Sequence, residues 1–212
     1  MRLTEKQPQS DLSKLPVESL KGVGPSLQNK LLNIGIKTVE DIVFHLPYRY
    51  EDRTRISPIG SVVTGGAYLL EGTISEIKIM YGRRRSLLAF LEDSSGRIGL
   101  RFFYFSKRQQ ENLDSLKKVR CYGEVRQGAT GPEIYHPEYS EAKIENHEPQ
   151  NLTPIYPSTE GVTQSRYRKI VSEALSQLHR LPLEDLTSVS SSTNLTTCLQ
   201  YLHQPPAAAE PD

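Results

Sequence analysis

The chain has 212 residues, of which 36% are apolar, with a formal net charge of +1 and two cysteines. That length suits one medium domain with extensions or two small ones, and the near-neutral balance excludes a partner selected by overall charge. Cys121 and Cys198 form no metal or redox motif, no apolar run could cross a bilayer and no signal-type sequence opens the chain, so an intracellular protein without disulfides is expected.

Residues 1–12 are polar, carry Pro8 and are expected to fray. Gly22-Val23-Gly24 then makes a turn that needs freedom in φ, Pro25 takes a first helical position, and Leu27, Leu31 and Ile34 follow at helical spacing. A second helix, Val39 to Leu46, has Thr38 as N-cap and stops before Pro47. The pair is similar to a helix-hairpin-helix element, in which backbone N–H groups at the glycine turn hold a phosphate; the competing reading is a small helical cap packed on the barrel that follows. His45 reads as a helix-end residue, because no second metal-type residue lies at a useful spacing. Tyr48 to Arg53 mixes aromatics with charges of both signs, and Glu51 and Asp52 at its centre favour an internal ion-pair network.

From Tyr68 to Tyr139 the pattern is two strands, a glycine-containing turn, an aromatic strand, a short polar helix and two more strands, the element order of an OB-type barrel. In the first strand Leu70, Gly72 and Ile74 keep one phase and Ile77 and Ile79 the other, which predicts a bulge, with Gly72 where backbones approach closely. Arg83, Arg84 and Arg85 sit at the next loop tip beside Gly82, either against a phosphate backbone or simply solvated. The second strand covers 86–91, and 92–96 turns into the run from Arg97 to Phe105. Alternation places Ile98, Leu100, Phe102 and Tyr104 on the core side and Arg101, Phe103 and Phe105 on the other. A guanidinium beside two rings is what a single-strand nucleic-acid platform needs, since rings stack on bases and cations hold phosphates; alternatively the rings pack under a neighbouring segment. Between Lys78 and Arg108 eight basic residues face only Glu92 and Asp93. Lys107 to Leu116 reads as a short helix across one barrel end. Val119 to Arg126 is a fourth strand, with Val119, Cys121, Gly123 and Val125 inward, and Glu133 to Tyr139 a fifth that Pro137 confines to an edge.

Beyond the barrel, 141–150 is an acidic connector and 152–157 is extended, because each proline disfavours helix at the residue before it. Gln164 to Leu178 is a helix whose stripe of Tyr167, Ile170, Val171, Ala174, Leu175 and Leu178 needs a partner. Leu181-Pro182 ends it, 188–193 is a loop, Leu195 to His203 is a last short helix, and Pro205 to Asp212 reads as a linker. The expected fold is mainly β with helical flanks. An OB-fold, a five-stranded Greek-key barrel, occupies 67–140; a helical, helix-hairpin-helix-like segment and lead-in occupy 1–66, and an extended linker and helix 141–212.

Five stretches occur in one order: Leu20-Lys21-Gly22-Val23-Gly24, His45 to Arg53, Arg101-Phe102-Phe103, His136-Pro137-Glu138-Tyr139 and Thr153 to Gly161. Together they resemble the N-terminal region of the RecG family of bacterial ATP-dependent DNA helicases, over residues 15–205. The resemblance implies a wedge domain, an OB-fold at the branch point of a stalled replication fork or junction that splits strands while a separate motor pulls duplex. It implies that Phe103 is the strand-parting aromatic. A further stacking aromatic of the family falls where Lys107 stands here, which leaves Phe105 or Tyr104 to serve instead. The implied partners are branched DNA, single-stranded DNA at the branch and the helicase motor, expected after Asp212, in a bacterial cytoplasm on the nucleoid and with no membrane.

A motor needs a Gly-x-x-x-x-Gly-Lys-Ser/Thr phosphate loop and an acidic metal-binding motif, and neither is present. No cofactor is therefore expected in this chain, ATP and Mg2+ belonging to the motor. No catalytic triad, carboxylate pair or metal cluster points to another enzyme, and His136 and His147 beside carboxylates are ordinary loop residues. Two classes remain: a branched-DNA-binding wedge module, or an OB-type module whose exposed aromatic face binds protein. DNA binding must weaken steeply with salt, whereas an apolar protein contact would not.

Overall fold

The computed structural model describes residues 12–82, 84–116, 118–142, 151–157, 161–178 and 194–206. The expected frayed start, Arg83, most of the acidic connector, His147, the Leu181-Pro182 stop with its loop, and the tail beyond Pro206 lie outside the described residues. In chain order the elements are α1 (Pro25–Leu32), α2 (Val39–Phe44), β1 (Arg49–Glu51), β2 (Ala67–Met80), β3 (Ser86–Glu92), β4 (Arg97–Phe102), α3 (Lys107–Ser115), β5 (Val119–Gly128), β6 (Gly131–Tyr135), β7 (Glu138–Glu141), β8 (Thr153–Ile155), α4 (Gln164–Gln177) and α5 (Leu195–His203).

They form two compact units, Met1–Glu51 with Asn151–Asp212, and Asp52–Gln150. The expected boundaries at 66/67 and 140/141 thus fall elsewhere, because the helices on either side of the barrel bury their stripes in one another. Leu27 and Leu31 of α1, Val39, Ile42 and Val43 of α2, the α4 stripe and Leu199 of α5 share a single core. The cap-like helix pair thus finds its partner in α4. Thr38 closes a capping box with Asp41, accepting from its N–H while Asp41 Oδ2 accepts from Thr38 N–H at 2.8 Å. Val23 of the glycine turn is buried, and the Gly22 carbonyl accepts from Arg166 of α4 at 3.4 Å.

Within the extended stretch 152–157, Thr153–Ile155 becomes β8, antiparallel to β1 through Arg49↔Ile155 and Glu51↔Thr153. A buried polar chain ties the helices to this ribbon. The Val43 carbonyl can only accept, so His203 Nε2 carries the proton at 2.8 Å; Nδ1 is then an acceptor, and the Tyr156 hydroxyl donates to it at 2.8 Å. His45 is a helix-end residue, its Nε2 donating to the Pro157 carbonyl at 2.8 Å.

In the second unit β2 pairs with both β3 and β5, β3 with β4, β4 in parallel with β6, and β6 with β5, which closes a five-strand ring of OB order. The expected phase change is a register shift between Ile74 and Glu76. A Cβ on Gly72 would lie 2.3 Å from the Glu92 carbonyl oxygen, so only glycine permits the crossing. Leu70, Leu87, Leu91, Ile98, Leu100, Phe102, Val119 and Ile134 fill the ring, and Leu113 of α3 is buried with them. Cys121 belongs to the same core, where burial pushes its thiol up to about 12. The turn 92–96 is locked by Asp93, which accepts from Ser95 and Gly96 and, across the unit, from Ile59 N–H at 2.9 Å.

The fifth strand departs from the expectation. It is two strands, β6 and β7, broken at His136-Pro137. The first lies between β4 and β5 instead of at an edge, and only β7 pairs on one side alone. Proline is tolerated because it falls in the break, where no ladder bond is lost.

Candidate nucleic-acid interface

β4 ends at Phe102, and the chain bends at Phe103 and Tyr104. The expected alternation therefore stops one residue into the aromatic run. Tyr104 leaves the core side and is 75% exposed, whereas Phe103 is half-buried at the bend. Phe103 sits edge-on to Tyr135, ring centroids 5.2 Å apart, and beside His136 at 5.6 Å. Phe105 is not a free platform: it packs against the barrel core, and the Arg85 guanidinium lies over its ring at 4.8 Å. Lys107 opens α3 with its side chain in solvent and Nζ 3.6 Å from Glu111.

Arg101 corrects a second expectation. Its Nε and Nη2 meet both oxygens of Glu133 at 2.5 and 2.7 Å, and Nη1 donates to Ser86 at 3.0 Å. Glu133 is fully buried and also accepts from Thr130 at 2.8 Å. Burial opposes ionisation of this carboxyl, but the bonds from Arg101 and Thr130 with the Arg101 charge hold it below its ordinary value. Arg101 is raised by the same bond against its own burial. The guanidinium is thus neutralised from inside and has no free charge for a phosphate. Two glycines make room for the acid, since a Cβ on Gly128 would lie 2.2 Å from Glu133 Cδ and one on Gly99 3.0 Å from Cγ. Sequence reading passed over Glu133 and Tyr135; the available signal was a lone glutamate flanked by apolar residues in a strand, which needs a buried cation.

Above this pair lies an open depression of about 590 Å³. Its walls are Tyr81 and Arg84 from the β2–β3 loop, Phe103 and Tyr135, and Ala129 and Thr130 from the β5–β6 turn. Its floor is the neutral Arg101–Glu133 pair, so a planar uncharged group fits it better than an anion. Cations stand at the rim. Arg84 Nη1 lies 3.5 Å from the Tyr104 hydroxyl, and among the described residues no carboxylate pairs with Arg84 or Arg85. Arg97 differs, held by Glu76 and Glu92 at 2.9 Å each and lying over Phe90 at 3.7 Å. Among the described residues no cluster of metal-ligating side chains occurs, and no helix is long and apolar enough to cross a membrane.

The family model of the RecG wedge domain matches residues 16–178. The chain belongs to the RecG wedge-domain family. This wedge-family chain is 40% identical over 200 residues to the ATP-dependent DNA helicase RecG of Escherichia coli strain K12, covering 92% of the chain and 29% of that protein. The RecG of Haemophilus influenzae is 37% identical over 202 residues, with the same coverage. A solved structure of RecG bound to three-way DNA junction superposes at a TM-score of 0.73 with 24% identity, over 97% of this chain and 28% of that one, which shows the shared fold. The chain therefore spans about three tenths of the length of the relatives it matches.

Proposed function

We propose that this chain is the branched-DNA-binding wedge region of an ATP-dependent DNA helicase, parting strands at replication forks and Holliday junctions during fork reversal and recombinational repair. The observation that carries the reading is the bend after β4, where Phe103 and the exposed Tyr104 stand beside Arg84 and Arg85, which pair with no carboxylate among the described residues. In this reading Phe103 caps the last base pair of the parental duplex. One separated strand then follows the depression, its bases toward the neutral floor and its phosphates toward Arg83, Arg84 and Arg85, with Lys107 on the α3 side. This division of labour suits an OB barrel, whose first and last loops bind oligonucleotides. The wedge does no chemistry. ATP, Mg2+ and translocation belong to motor sequence outside this stretch, and the working compartment is the bacterial cytoplasm at the nucleoid.

Binding of forked, duplex and single-stranded DNA to the purified chain at two salt concentrations tests the proposal. Forks should bind tightest, with affinity falling steeply with salt as counterions are released. Salt-independent binding, or equal affinity for forks and duplex, would overturn it; salt independence would favour a protein partner on the aromatic face.

A further inference from the structure

Among the described residues His136 is the only non-glycine with a positive φ, at 49°. Histidine is one of the few side chains enriched in this left-handed region, yet the conformation is still a cost that the surroundings must hold in place. Two hydrogen bonds and several ring contacts do so, and all lead to the bend after β4. The His136 N–H donates to the Arg101 carbonyl at 2.8 Å, continuing the β4–β6 ladder past Tyr135. Its Nε2 accepts from the Phe103 N–H at 3.4 Å, which places the ring proton on Nδ1. Its imidazole lies near-parallel to Tyr104, 21° between planes and 6.3 Å between centroids, and meets Phe102 edge-on at 6.2 Å.

These contacts make His136 the joint between Arg101, which is anchored in the barrel, and the two residues that leave it. The Phe103 N–H falls just past the last β4 ladder residue, where water would otherwise be its partner. With the imidazole there, the backbone at Phe103 is fixed and the Tyr104 ring has a flat surface to rest on. We infer that His136 is a positioning residue that sets the pose of Phe103 and Tyr104 at the DNA branch. The inference rests on the wedge reading above and extends it to a side chain outside the aromatic run.

The test compares His136→Asn, His136→Ala and Phe103→Ala in the full chain, by melting temperature, by affinity for fork and for duplex, and by the quenching of 2-aminopurine placed at the branch. Asparagine accepts the left-handed backbone but has no ring, so it separates conformational strain from positioning. His136→Asn should melt within a few degrees of the parent and keep duplex affinity. It should lose about five- to tenfold in fork affinity, with weaker 2-aminopurine quenching, because an unfixed Phe103 ring gives up part of its stacking. His136→Ala should lose at least as much and also melt lower. If His136→Asn binds and quenches like the parent while Phe103→Ala does not, the positioning role is wrong and the wedge reading stands. Should the Asn variant unfold, or lose fork and duplex binding in equal measure, His136 serves the fold alone and the inference fails. If Phe103→Ala binds forks like the parent, the wedge reading itself falls.

Discussion

Replacing Phe103 separates stacking on DNA from packing within the barrel, provided that two substitutions are compared. The ring is half-buried against Tyr135 and His136, so Phe103→Ala removes protein contacts as well as any contact with a base. An aromatic side chain can bury about 150–250 Å², and at about 25 cal/mol per Å² the loss of about half of that area plus one edge-to-face contact comes to about 2–5 kcal/mol. The upper end is generous, because unfolded chains already bury part of it. In a unit of this size each kcal/mol lowers the melting temperature by about 4–8 °C, so a fall in Tm alone does not distinguish the roles. Phe103→Leu keeps much of the apolar volume and removes the π face, and should cost less than about 1.5 kcal/mol of stability. Stacking on the terminal base contributes about 1–3 kcal/mol, so Leu should lose about ten- to a hundredfold in affinity for a fork and almost nothing for blunt duplex. Fluorescence anisotropy on matched fork and duplex reads this difference at a temperature where both variants are folded. A Leu variant that binds forks like the parent, or one that loses fork and duplex together, would refute stacking by Phe103.

Replacing Arg84 and Arg85 together by alanine should lower the slope of log affinity against log salt by about two for every DNA while leaving fork preference intact; an unchanged slope would make them solvated loop residues. Glu133→Gln strands the Arg101 guanidinium in a site built for a charged partner and should cost about 3–5 kcal/mol in urea unfolding, most of it recovered when Arg101 is replaced by methionine as well. Acid should destabilise the fold in two windows. Burial of His203 lowers its pKa below 6.5, aided by His45 and opposed by the bond to Val43, so the unfolded chain takes the proton first; this stability is complete above about pH 6.5 and lost below it. Burial of Asp93 opposes ionisation, but bonds from Ile59, Ser95 and Gly96 outweigh it and hold the carboxyl at about 2 against 3.8; its contribution is present above about pH 3.8 and fades as pH falls toward 2. Melting curves from pH 8 to 2 check both, and a Tm that rises on acidification from 7 to 5.5 would contradict the first.

Local order was legible wherever one periodicity or one cap decides it. The α4 stripe, the Thr38 capping box, the bulge between Ile74 and Glu76 and the close crossing at Gly72 all follow from spacing or from the absence of a side chain. The site was legible as a region, since the aromatic run and the arginine loop do meet. What alternation could not reveal is where a strand stops, and the end of β4 at Phe102 reversed the expected places of Tyr104 and Phe105. Nor does a charge in a strand disclose its partner. Arg101 and Glu133 are 32 residues apart and meet only because β6 lies parallel to β4, a pairing that closure of the ring decides. Pro137 misled for the same reason: it sits in a break, which a sequence scan cannot tell from an edge.

If this bend parts strands as proposed, the DNA must yield before the protein does, and the mounting of the bend fits that requirement. Parting one base-pair step opposes the wedge with about 1.4 kcal/mol on average, at most about 2.2. Pushing Phe103 back along β4 would drag Arg101 away from Glu133, and separating a buried, doubly bonded pair of this kind costs about 3–5 kcal/mol. The His136 N–H on the Arg101 carbonyl adds a further bond to the same anchor. The resisting terms therefore exceed the load by roughly two- to fourfold, using the mean step cost. On this account the charge that looked suited to a phosphate has a mechanical use: neutralised inside the barrel, Arg101 anchors the strand that carries Phe103, the residue proposed above to meet the branch.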